Sequence, residues 1–123
     1  MWPFSSSAEP KAKTVNYRNL DADYAVTGQI RPDQITAVVA AGFKSIVCAR
    51  PDNEDAGQPS FAEVAQEAEK AGLQIVHVPV GGALGQSTFM KFDAAMKTMP
   101  KPVLAYCRSG GRASSLYAML KQA

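Results

Sequence analysis

Four short apolar runs, each leaving through a loop into a segment with helical spacing, constrain this chain more than any other feature. They are Tyr24-Ala25-Val26-Thr27, Ser45-Ile46-Val47-Cys48-Ala49, the stretch from Leu73 to Val80, and Val103-Leu104-Ala105-Tyr106. Strands this short, alternating with helices, build an α/β domain whose mostly parallel sheet of four to five strands is flanked by helices. The helical segments carry their own punctuation. Pro32 opens one over 32–41 with Ile35, Val38 and Val39 on one face and Gly42 as its stop; Pro59 opens a second that Gly72 ends. Ser87 caps a third, whose Phe89, Phe92, Met96 and Met99 form a core stripe, and 112–121 is the last. A short extended stretch around Val15-Asn16-Tyr17 precedes them, and residues 1–13, rich in Ser, Pro, Lys and Ala, read as a flexible arm before a single domain over 14–123.

Composition narrows the function classes. A net charge of +2, with thirteen Lys and Arg scattered along the chain, gives no stripe for nucleic acid. No stretch reaches the ~18 apolar residues of a membrane helix, and the opening residues lack a secretory pattern, so a soluble, cytoplasmic protein is expected. A lone histidine, His77, provides no metal site, and no cofactor is implied. Nothing in the sequence specifies an oligomeric state. Two distant cysteines, Cys48 and Cys107, fit reduced intracellular thiols.

The chemistry concentrates after the last apolar run, in Cys107-Arg108-Ser109-Gly110-Gly111-Arg112. A cysteine leaving a buried strand for a helix start meets backbone N–H groups and the positive end of the helix, both of which favour a thiolate. Arg108, Ser109, Gly110 and Gly111 form the anion-binding turn, the glycines allowing positive φ and close approach. Arg112 adds a planar fork for oxyanions. The catalytic pair expected from this pattern is Cys107 and Arg112. Because open parallel sheets bind ligands beyond the carboxyl ends of their strands, the loops 49–58, 80–87 and 107–112 are expected to converge there.

Tyr106-Cys107-Arg108-Ser109-Gly110-Gly111-Arg112-Ala113-Ser114 resembles the active loop of rhodanese-type sulfurtransferases and a shortened tyrosine-phosphatase loop. With Val26-Thr27-Gly28-Gln29-Ile30, Arg50-Pro51-Asp52-Asn53-Glu54 and His77-Val78-Pro79-Val80, about 14–121 resembles the phosphatase-like domain of beta-lactamase hydrolase-like proteins. The resemblance implies a tyrosine-phosphatase-like fold and a cysteine-dependent phosphatase-like hydrolase. It also leaves open a sulfurtransferase working through a Cys107 persulfide, or a non-catalytic module binding an anion or phosphoprotein. The implied partner is a small anion (phosphoester, thiosulfate or persulfide) or a phosphoprotein.

The loop departs from the phosphatase pattern in being Cys-x4-Arg rather than Cys-x5-Arg. Tyr106 stands where histidine is common, and Ala113 where a hydroxyl would face the thiolate, a role that Ser114 can take instead. The stretch 81–88 contains no carboxylate where such phosphatases place their general acid; Asp52, Glu54 and Asp55 are the candidate substitutes, with Arg50 as a second source of charge. Cys48 and Cys107 each close an inner strand. Adjacent strands lie ~4.8 Å apart, within reach of a disulfide, so an oxidative Cys48–Cys107 bridge stands as one expectation beside simple packing of Cys48.

Overall fold

The computed structural model describes residues 14–122; the expected arm, 1–13, lies outside the described residues. Its five strands are β1 (Arg18–Asp21), β2 (Tyr24–Thr27), β3 (Ser45–Cys48), β4 (Gln74–His77) and β5 (Val103–Tyr106), and its helices α1 (Ile35–Ala40), α2 (Phe61–Lys70), α3 (Gln86–Thr98) and α4 (Gly111–Gln122). The sheet order is β1-β2-β5-β3-β4, with β1 antiparallel to β2 and the other neighbours parallel.

The period-2 alternation of strand side chains divides the core into two layers. Along β5 and just beyond it, Val103, Ala105 and Cys107 join the cluster that includes Phe92 and Met96 of α3 and Leu116 and Tyr117 of α4. Leu104 and Tyr106 join the opposite cluster, with Ile35 and Val38 of α1 and Val64 and Ala68 of α2. Helices on both faces thus cover the parallel strands, as buried parallel sheets require. From β3 the chain moves to β4 through α2 on one face, and from β4 to β5 through α3 on the other. The direction of winding therefore reverses between β3 and β5, and the crevice at their carboxyl ends is the topological switch point where such folds bind ligands.

Several boundaries differ from the sequence expectation for local reasons. The first strand falls on Arg18–Asp21 rather than near Val15; it is a polar edge strand held by its hairpin with β2, so composition does not mark it. The helix expected from Pro32 starts as a 3-10 turn over Pro32–Gln34. The helix expected from Pro59 begins at Phe61, because Ser60 is its N-cap: the Ser60 hydroxyl accepts from the Glu63 amide at 3.1 Å, and Glu63 accepts the Ser60 amide at 2.8 Å. The third helix starts at Gln86 with Gly85, not Ser87, at its cap.

The bridge between Cys48 and Cys107 is ruled out by register. Cys48 stands level with Tyr106, so Cys107, one residue on, faces the other side of the sheet; the two thiols lie in opposite core layers. Joining them would need backbone movement. Burial pushes the Cys48 thiol up, which keeps it protonated, and the thiol donates to the Arg50 carbonyl at 3.4 Å.

Candidate active site

Cys107 sits just past β5, buried to 1% exposure. Its sulfur accepts the Gly110 amide at 3.0 Å, a contact that closes the loop back on its own first residue. Gly110 achieves this at φ +96°, a left-handed conformation that disfavours any other residue. The Gly110 carbonyl accepts the Ser114 amide at 2.9 Å, so α4 begins here and its first N–H groups face the loop.

Ser114 acts one step from the sulfur. Its hydroxyl donates to the Gly110 carbonyl at 2.9 Å and accepts from Arg18 at 3.3 Å, so it reaches the loop backbone instead of the thiol expected from the sequence. Tyr24, unremarkable in sequence, donates its buried hydroxyl to the Ala113 carbonyl at 2.9 Å and fastens β2 to the first turn of α4. Burial first, and the charge of Cys107 second, raise the Tyr24 pKa well above the usual tyrosine range, so it remains a neutral donor.

Gly28, quoted in the sequence only as part of the family resemblance, has a packing role of its own. A Cβ there would lie 2.9 Å from the Arg108 carbonyl, so only glycine lets the cysteine loop pack on β2. The Cys107 amide donates to the Thr27 carbonyl across the same contact.

The loops converge as expected, with the 28–29 turn as a fourth contributor, and what joins them is a chain of charges. Arg112 donates Nη1 and Nη2 to the two oxygens of Glu54, both at 2.8 Å, and Nη1 also to the Val80 carbonyl at 2.8 Å. This uses one guanidinium end and leaves the edge formed by Nε–H and the outer Nη2–H for an oxyanion. Arg50, 3% exposed, donates to Glu54 at 2.9 Å, to Asp55 at 2.7 Å and to the Gln29 side chain at 3.0 Å. Asp55 also meets Arg108 Nε at 3.2 Å. The Gln58 side chain accepts the amides of Glu54 and Asp55 and fixes the loop that carries them.

These partners decide what each carboxylate can do. The guanidinium of Arg112, then that of Arg50, lowers the Glu54 pKa to about 2, so Glu54 is an anion at neutral pH and no proton donor. Asp52 accepts the Phe61 amide at 2.8 Å and serves the start of α2. Asp55 is shared between two arginines. Arg108 and Ser109 are exposed at the turn, and Gly111 opens α4. His77 points its Nε2 at the Arg50 carbonyl, 2.9 Å away, and stacks on Phe61 at 4.6 Å between centroids, away from the cysteine loop. A concavity of about 500 Å3 lies at the other end of the sheet, among Asp21, Asp23, Asp93, Tyr117 and Lys121, away from the cysteine loop. Among the described residues no cluster of His, Cys, Asp and Glu has the makings of a metal site, and no helix is long and apolar enough to cross a membrane.

A mostly parallel sheet with a cysteine-arginine loop at its switch point defines a phosphatase-like α/β domain. Comparison with known proteins makes this specific: residues 16–123 match the phosphatase-like domain of beta-lactamase hydrolase-like proteins, and the chain belongs to that family. It is 34% identical over 110 residues to a beta-lactamase hydrolase-like protein of Agrobacterium fabrum, covering 89% of this chain and 24% of that one. A relative of the same description from Xylella fastidiosa is 35% identical over 96 residues, covering 77% and 22%. The chain thus spans about a quarter of the length of these relatives. Among solved structures, a phosphatase-like protein from Neisseria meningitidis superposes with a TM-score of 0.77 at 32% identity, over 85% of this chain and 75% of that one. The core catalytic domain of a PP-IP phosphatase from S. cerevisiae shares the fold, with a TM-score of 0.68 at 16% identity over 89% and 66%.

Proposed function

We propose that this chain is a cysteine-dependent enzyme of the phosphatase-like class, in which Cys107 is a thiolate nucleophile toward a small anionic substrate. The observation that carries the reading is the Gly110 amide aimed at the Cys107 sulfur at 3.0 Å, at the N-terminus of α4 and one helical residue from Arg112. The N–H donor and the helix N-terminus give the sulfur a hydrogen bond and a positive potential, the setting in which a cysteine serves as a nucleophile. The free edge of Arg112 and the first amides of α4 then hold the oxyanions.

Two reactions are open to such a thiolate. In the first, matching the family description, Cys107 attacks phosphorus, the ester oxygen leaves, and water releases phosphate from the phosphocysteine. In the second, Cys107 attacks the outer sulfur of thiosulfate, the S–S bond breaks with its electron pair leaving on sulfite, and a Cys107 persulfide remains. One observation favours sulfur transfer: among the described residues, each candidate carboxylate for the general acid is already engaged by a partner. Glu54 is held ionised by Arg112 and Arg50, Asp52 is committed to α2, Asp55 is paired with two arginines, and 81–88 has no carboxylate. An alkoxide leaving group without an acid costs ~10²–10⁴ in rate, whereas sulfite needs no proton to leave. Phosphoester hydrolysis is accordingly limited to good leaving groups such as aryl esters.

Intact-mass analysis tests both. After thiosulfate, the wild-type chain gains one sulfur and Cys107→Ser gains nothing; after an aryl phosphate, any phosphoryl adduct also maps to Cys107. Adduct formation undiminished in Cys107→Ser refutes the nucleophile, and no adduct from either reagent leaves an anion-binding module.

A further inference from the structure

The cations nearest the cysteine loop are held by carboxylates: Arg50 and Arg112 by Glu54, and Arg50 and Arg108 by Asp55, while the 81–88 loop carries no charge. Arg108 is the most exposed of the three mouth arginines, its side chain 67% accessible, and its Nε is tied to Asp55. Asp55 in turn is anchored by the buried Arg50 at 2.7 Å, so it is held in position to meet Arg108. A mouth built to take a polyanion requires unpaired positive charge at its rim, and the most exposed of these three arginines is paired.

We propose that Asp55 is a specificity-determining residue: by neutralising Arg108 at the mouth of the Cys107 pocket, it restricts the substrate to a small molecule with a single anionic group and rejects polyphosphorylated ones. The inference rests on the reading of the Cys107 loop as an anion site. One oxyanion group is met by the free edge of Arg112 and the α4 amides. Any further anionic group of the same molecule that reaches Arg108 meets a cation already paired and Asp55, 48% accessible, which repels it. Charges at such a rim act over roughly a Debye length, ~10 Å at 0.1 M salt, so the discrimination is electrostatic and sensitive to salt.

The test uses protection of Cys107 from iodoacetamide in the full chain, read by peptide mass, and so does not depend on turnover. The protecting probes are inorganic phosphate and inositol hexakisphosphate. In wild type the hexakisphosphate is expected to protect no better than phosphate. In Asp55→Asn its half-protecting concentration is expected to fall about tenfold at low salt, and the gain to vanish at about 0.3 M salt, while phosphate shifts less than about threefold. Adding Arg108→Gln to Asp55→Asn should return the hexakisphosphate to its wild-type behaviour, which separates a charge effect from a distorted loop. Preferential protection of the wild type by the hexakisphosphate, or equal gains for both anions in Asp55→Asn, overturns the proposal. Failure of phosphate to protect wild type counts instead against the anion-site reading, and the hexakisphosphate arm still decides the role of Asp55.

Discussion

Replacing Glu54 by glutamine tests whether one carboxylate organises the site. Glu54 accepts from Arg112 twice and from Arg50 once, all between 2.8 and 2.9 Å. Its pKa of about 2, below the ~4.5 of an unpaired glutamate, corresponds to roughly 3–4 kcal/mol at ~1.4 kcal/mol for each tenfold change in the proton equilibrium. Solvent reaches a side chain that is 26% exposed, and screening reduces this to about 1–2 kcal/mol. A domain of this size should then lose roughly 5–10 °C of thermal midpoint at pH 7 in Glu54→Gln. The pH dependence has a definite sign. A carboxylate whose folded pKa is depressed contributes in full above its unfolded pKa, ~4.5, and loses the contribution as pH falls toward about 2. Urea midpoints of wild type and Glu54→Gln, measured at pH 7, 5, 4 and 3, should therefore stay apart down to about pH 5 and converge below it. The variant should also alkylate and react at Cys107 more slowly, because Arg112 loses the carboxylate that fixes the position of its guanidinium. Equal midpoints at pH 7, or a gap that does not close on acidification, would refute the reasoning.

Two further substitutions probe different physics. Arg112→Lys keeps a charge but cannot bridge Glu54 and the Val80 carbonyl while presenting a second edge, so persulfide or phosphocysteine formation should fall by about 10²-fold or more with a thermal midpoint only a few degrees lower; an unfolded variant, or a preserved rate, contradicts a role in anion binding. Gly28→Ala drives a Cβ to within 2.9 Å of the Arg108 carbonyl, so chemical denaturation should show a loss of about 1–3 kcal/mol together with reduced Cys107 reactivity; unchanged stability would mean that the loop yields without cost.

The sequence by itself determined most of the elements and the position of the cysteine loop between the last strand and the last helix, because both are written in local code. Strands of period two, helices of period 3.6 and their glycine stops depend on neighbours a few residues away, and so does a cysteine turning through two glycines into a helix. What the sequence left equivalent was any choice that depends on register or on which side chains meet across the sheet. Asp52, Glu54 and Asp55 look alike in one polar loop, yet one serves α2, one grips Arg112 and one covers Arg108. Gly28 resembles any strand-ending glycine until the Arg108 carbonyl is brought against it. Cys48 and Cys107 both end inner strands, but a single residue of register places them in opposite layers. Side chains alternate faces at every residue, so a shift too small to alter the sequence pattern decides which groups can ever touch. Only the tertiary structure fixes that shift.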